Sequence, residues 1–323
     1  MRRRDRRLFF AGLASIALCF MFGAGAIFTA GLYNQLTRVE ADCGGGYPGQ
    51  TPAHFSAPVE AGPYLMADFR EVKFPSRDPA ISIDAWWVPG PSPDAPAVVL
   101  AHGLHECKRA TTVLFPAGML RAHGFAVLLI DLRDEGSSTV DTGRDAGGIG
   151  EAQDVLGAWD WLRSAQAIPP DRIGLFGVSL GAGAVLIAAG EEPRVAAVWE
   201  DSGYADMTEV TRHQLGARWI PPFFADLVYT YGRWQGVELT SPSPRDEVAR
   251  FGSRSLAIVH GQDDGSVPVE QAGQLIVADE AAGGHPTVWL VPDAGHARSM
   301  FAHPAEYESR LIAFFSGALV VPQ

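Results

Sequence analysis

From about Tyr64 onward the chain alternates short, almost continuous apolar runs with longer mixed segments. The runs fall at 97–101, 126–130, 173–176, 195–199, 256–259 and 288–291. Apolar stretches this short, with no polar residue at every second place, suit strands of a parallel sheet covered on both faces. The segments between them, at 110–123, 151–165, 180–189, 269–282 and 305–315, are long enough for helices. Ahead of them, 71–74 and 81–88 read as a hairpin turned by Ser76-Arg77-Asp78-Pro79. The alternation predicts an α/β fold, a doubly wound and mostly parallel sheet. In such sheets ligands bind beyond the carboxyl ends of the strands, so the residues just after each run are where chemistry is sought.

Gly177-Val178-Ser179-Leu180-Gly181 follows one run and precedes a helix of small residues. A sharp strand-to-helix turn there would push the Ser179 hydroxyl outward, with glycines flanking it where a Cβ would collide. Serine needs a base within hydrogen-bond reach. His296, in Asp293-Ala294-Gly295-His296, follows the last run and arrives at the same sheet edge, with His303 the nearest rival. An acid must then fix the imidazole tautomer. Asp263 and Asp264 both follow the run at 256–259, and Asp201 is a third carboxylate at that edge. The chain order Ser, Asp, His is the one expected on such a sheet. Two backbone N–H groups, of Leu180 after the serine and of Leu104 after the run at 97–101, are the candidate oxyanion donors.

The ends and the insertions carry other signals. Residues 1–7 hold five arginines, and 8–32 then run without a charge. This is longer than the roughly 20 apolar residues a bilayer crossing needs, so 8–33 is expected to be a transmembrane anchor, with the N-terminus cytoplasmic and the catalytic domain extracytoplasmic. Arg6-Arg7-Leu8-Phe9-Phe10 and Ala24-Gly25-Ala26 leave open a cleaved export signal and a secreted enzyme. Residues 34–63, rich in Gly, Pro and Ala towards their end, read as a linker, and 64–323 as the catalytic domain. The tract 206–243, with Trp219, Phe223, Phe224, Tyr229, Tyr231 and Trp234, interrupts the alternation; it reads as a small helical lid or as ordinary connecting helix. A formal charge of −12 with a basic extreme N-terminus disfavours nucleic acid as the partner. No metal-binding spacing or nucleotide-binding glycine loop is present, so no metal and no cofactor is expected. The chain has three cysteines, Cys19, Cys43 and Cys107, and the expectation is unpaired thiols, since spacing alone does not bring Cys43 to Cys107.

These residues resemble the α/β-hydrolase superfamily, in particular its serine-aminopeptidase-like and prolyl-oligopeptidase-like hydrolases. The landmarks are His102-Gly103, Asp131-Leu132-Arg133 with Gly136 and Ser138, Gly177 to Gly181, Asp201-Ser202, His260-Gly261 through Asp264 to Val267-Pro268, and Gly295-His296 with Pro304 and Tyr307. In that pattern the acid lies four residues after the His of His-Gly, which selects Asp264. Asp134-Glu135 departs from the pattern, as relatives often carry Gly-His there, and too little chain precedes the domain for a propeller. The resemblance implies a serine hydrolase with Ser179, His296 and Asp264 as triad. The leading expectation is a carboxyl-ester hydrolase acting on a small-molecule or acyl substrate. A peptidase or amidase, and a silent binding protein on the same fold, are the alternatives, because fold does not choose among them.

Overall fold

The computed structural model describes residues 3–39 and 43–319, and the side chains of 3–14 and 16–18 lie outside that description. An eight-stranded sheet forms the centre, in the order β1-β2-β4-β3-β5-β6-β7-β8. The hairpin β1 (Arg70–Pro75) and β2 (Ser82–Val88) is antiparallel, and β2 also runs against β4 (Ala126–Ile130). From β4 across β3 (Ala97–Ala101), β5 (Ile173–Val178), β6 (Ala197–Asp201), β7 (Ser255–Gly261) and β8 (Thr287–Val291) every pairing is parallel. The mostly parallel sheet is as the apolar runs predict, with β6 starting two residues later than its run.

Alternate residues of each strand point to opposite faces, and this divides the core into two layers. Ala97, Val99 and Ala101 of β3 join the layer covered by α3 (Ile149–Ala165), α4 (Leu180–Glu191) and α8 (Glu270–Ala281). Val98 and Leu100 join the layer covered by α2 (Thr111–Ala122), α9 (Ser299–Ala302) and α10 (Pro304–Ala318). Between β6 and β7 the segment 206–243 forms α5 (Met207–Ala217) and α6 (Phe224–Trp234), followed by the short α7 (Pro244–Val248). Asp206 caps α5 by accepting from Thr208 and Glu209 N–H.

The N-terminal region departs from expectation in three ways. One long helix, α1 (Arg3–Thr37), runs through the stretch expected as an anchor and beyond it. Its last turns are spent on the protein: Leu32 and Tyr33 are buried in a cluster with Ala225, Val228 and Tyr229 of α6. Among the described residues no helix is long and apolar enough to cross a membrane, and the transmembrane reading of 8–33 finds no such span. The linker is likewise no free tether. Val39 donates to the Gly143 carbonyl, and Phe55 is buried in the main core. Finally, Cys43 and Cys107 are joined in a disulfide, correcting the expectation of unpaired thiols; 64 residues separate them in sequence, and only folding of β1 to β3 between them brings them together.

Candidate active site

Ser179 sits between β5 and α4 with φ +54° and ψ −115°, a conformation that costs an L-residue free energy and persists because its surroundings fix it. The surroundings are backbone. Ser179 N–H donates to the Asp201 carbonyl at the end of β6 (3.0 Å), and its own carbonyl accepts from Gly183 N–H (3.2 Å). A Cβ on Gly177 would stand 2.3 Å from the Gly181 carbonyl oxygen, and one on Gly181 would stand 2.4 Å from that of Ala101. Both glycines are therefore required by the close passage of strand, turn and helix.

His296, on the loop after β8, places Nε2 2.9 Å from Ser179 Oγ and Nδ1 2.7 Å from Asp264 Oδ2. The other carboxyl oxygen of Asp264 accepts from the N–H groups of Ser266 and Val267, each at 2.8 Å. Burial opposes ionisation of Asp264, but hydrogen bonds from the His260 and His296 rings and from Val267 N–H outweigh it. They hold the carboxyl well below the ordinary carboxylate range. With Asp264 charged, the Nδ1 proton faces it and Nε2 is left to accept the serine hydroxyl. The rivals lie elsewhere. Asp263 is exposed and His303 faces the Pro292 carbonyl at 3.4 Å. Asp201 accepts from Tyr307 Oη (2.8 Å) and Ser202 Oγ (2.9 Å), and Ser202 Oγ accepts from Ala297 N–H (3.0 Å), so this carboxylate braces the histidine loop from behind.

The loop after β3 carries Leu104, which with Leu180 and Ser179 lines one pocket. Sequence reading did not find what holds this loop. Glu106 accepts from Gly103 N–H (3.1 Å), Thr112 Oγ1 (2.7 Å) and Tyr47 Oη (3.0 Å). Buried Lys108 pairs with Asp84 and Asp131, the latter at 2.5 Å. His102 meets the Gly103 carbonyl through Nδ1 (2.9 Å) and accepts Leu132 N–H on Nε2 (3.1 Å), so the ring is neutral, as burial also demands. Of the two residues that depart from the family pattern, Glu135 acts on this loop and Asp134 on the tract after β4. Glu135 accepts His105 N–H (2.6 Å), and Asp134 Oδ1 accepts from Asp141, Thr142 and Gly143 N–H. Burial pushes the Glu135 carboxyl up to about 9.

The pocket beside Ser179 is walled by Leu104, Met207, Val210, Val228, Leu239 and Val267, and α1 adds Leu36 and Thr37. Its polar residues are largely occupied with one another: Tyr204 Oη donates to the Gly147 carbonyl (2.9 Å), and the Tyr229 and Thr211 hydroxyls are hydrogen-bonded. Asp145, raised to about 8 by burial and the nearby Glu151, accepts Gly147 N–H (3.0 Å). A mostly apolar recess next to a serine–histidine–carboxylate chain can receive an acyl group and exclude water from it.

Sheet and site together define an α/β hydrolase with the layout of a serine hydrolase. A model of the prolyl oligopeptidase family matches residues 114–320, and the chain belongs to that family. Among curated proteins it is similar to human protein ABHD12B, 29% identical over 56% of this chain and 49% of that protein. It is also similar to the uncharacterized peptidase YuxL of Bacillus subtilis, 28% identical over 67% of this chain and 33% of that protein. The chain thus spans half or less of the length of these relatives. In three dimensions it resembles the Pyrococcus furiosus esterase Pf2001, with a TM-score of 0.64 at 19% identity, covering 84% of this chain and all of that one.

Proposed function

We propose that this protein is a carboxyl-ester hydrolase working through an acyl-serine intermediate. The observation that carries the reading is the hydrogen-bonded chain from Asp264 through His296 to Ser179 on the wall of an apolar pocket. Ser179 Oγ attacks the ester carbonyl carbon while its proton passes to His296 Nε2. The oxyanion that forms is held by the N–H groups of Leu104 and Leu180, each such donor contributing about 3 kcal/mol to the transition state. The C–O bond to the alcohol then breaks, and His296 returns the proton to the leaving oxygen. Water, deprotonated by the same nitrogen, attacks the acyl-serine and releases the acid and the free serine. The Cys43–Cys107 disulfide supports an extracytoplasmic location for the catalytic domain, since such bonds persist in oxidising compartments.

Fluorophosphonate labelling of the full-length protein, with Ser179→Ala in parallel, tests the reading. The expected result is an adduct mapping to Ser179, absent in the variant, and turnover of a short-chain ester well above that of an aminoacyl amide. A folded protein that takes no label would point instead to a silent binding protein, and faster amide turnover to a peptidase.

A further inference from the structure

The large apolar side chains left exposed are concentrated on two elements. Phe20, Met21, Phe22, Ile27 and Phe28 lie on α1, and Trp219, Phe223, Leu227 and Trp234 on the α5–α6 insertion. Trp219 and Trp234 are 95% and 78% exposed, too much for side chains that bury well over a hundred square ångströms when they find a partner. The two elements meet at two points. Phe223 stacks on Phe224 (4.6 Å), which meets Phe28 of α1 edge-on (4.9 Å). Trp234 contacts Tyr231 (5.7 Å), which meets Tyr33 of α1 (5.2 Å).

Two arginines flank the tryptophans, with Glu238 close to Arg233. Arg218 and Arg233 are exposed, each adjacent in sequence to one of the two tryptophans. The one carboxylate within α6, Asp226, is taken by Arg212 (2.5 Å). Arginine beside exposed tryptophan, on a helix with an apolar outer face, is the chemistry of a lipid headgroup boundary. Moreover, α6 is two-sided: Leu227 and Trp234, with Phe223 at its N-cap, are exposed, while Val228 and Tyr229 line the pocket of Ser179. The pocket's other outer wall, Leu36, belongs to α1.

We propose that this face rests on a lipid surface and that the active site takes acyl esters from that surface between α1 and α6. The second half rests on the ester-hydrolase reading; the first does not. The test uses the full chain with vesicles of phosphatidylcholine brominated in its acyl chains, with and without phosphatidylglycerol. Tryptophan fluorescence of the wild type is expected to be quenched, more strongly with phosphatidylglycerol. The Trp219→Ser/Trp234→Ser double variant should lose most of the quenching, and Arg218→Ala/Arg233→Ala the preference for the anionic lipid. Turnover of a lipid ester embedded in the vesicles should fall about tenfold in the tryptophan variant, the loss of roughly 1.4 kcal/mol of lipid contact. Turnover of a water-soluble butyrate ester should stay within twofold of wild type. Both variants alter exposed side chains, so the butyrate assay and an unchanged melting temperature also report intact folding. Equal quenching in wild type and double variant would overturn the proposal. So would a wild-type dimer that is not quenched and that the tryptophan variant dissociates, since the face would then be a subunit interface. If the wild type is quenched but hydrolyses neither ester, the surface stands and the ester reading fails.

Discussion

Asp264 offers one oxygen to His296 and the other to two backbone N–H groups, so its charge and its shape can be tested apart. Asp264→Asn keeps the shape and presents an amide where the ring needs an acceptor. It is expected to lower kcat by about 10⁴-fold with the fold retained, read by ester kinetics alongside circular dichroism. That Ser179 and His296 arrive together was legible because each follows an apolar run that must be a strand, which fixes the sheet edge they reach. The acid was not separable by this logic: Asp263 and Asp264 follow the same strand, and only the family pattern chose between them. In the folded chain Asp263 turns to solvent while Asp264 is buried against the ring. Glu106, Glu135 and Lys108 were missed for a different reason. Most of their partners are backbone amides, hydroxyls and carboxylates brought close by the tertiary fold, and no residue pattern in the sequence announces such contacts.

At the scale of elements, the parallel strands and their helices were readable because two-sided burial leaves unbroken apolar runs. The segment from α1 to β1 was not, since Gly, Pro and Ala carry little periodicity and its order comes from what it is bound to. Its main tie is the disulfide to the loop that carries Leu104. Closing a loop of 64 residues removes unfolded-chain entropy equivalent to about 4 kcal/mol as an upper figure. Reduction, or Cys43→Ser with Cys107→Ser, is expected to lower unfolding stability by a sizeable part of that amount. Denaturant titration with and without reductant measures it, and an unchanged midpoint would mean that the bond does not form in solution.

Across the whole molecule, buried carboxyls set how stability varies with pH. Burial raises Glu135 to about 9, Asp145 and Glu200 to about 8, and Glu151 to about 7. Above the ordinary carboxylate range the unfolded chain gives up these protons while the folded chain keeps them, so stability falls as pH rises until each folded-state value is passed. Glu135→Gln removes one such group and leaves an oxygen to accept His105 N–H. Relative to wild type its stability is expected to rise between pH 5 and pH 8, by up to about 1.4 kcal/mol per pH unit. Chemical denaturation across that range checks the sign. The pairing of α1 with α6 also has a consequence in time. During synthesis Phe28 and Tyr33 leave the ribosome long before Phe224 and Tyr231 exist to receive them, an interval on the order of ten seconds or more at ordinary elongation rates. For that interval the apolar side chains of α1 have no α6 to cover them.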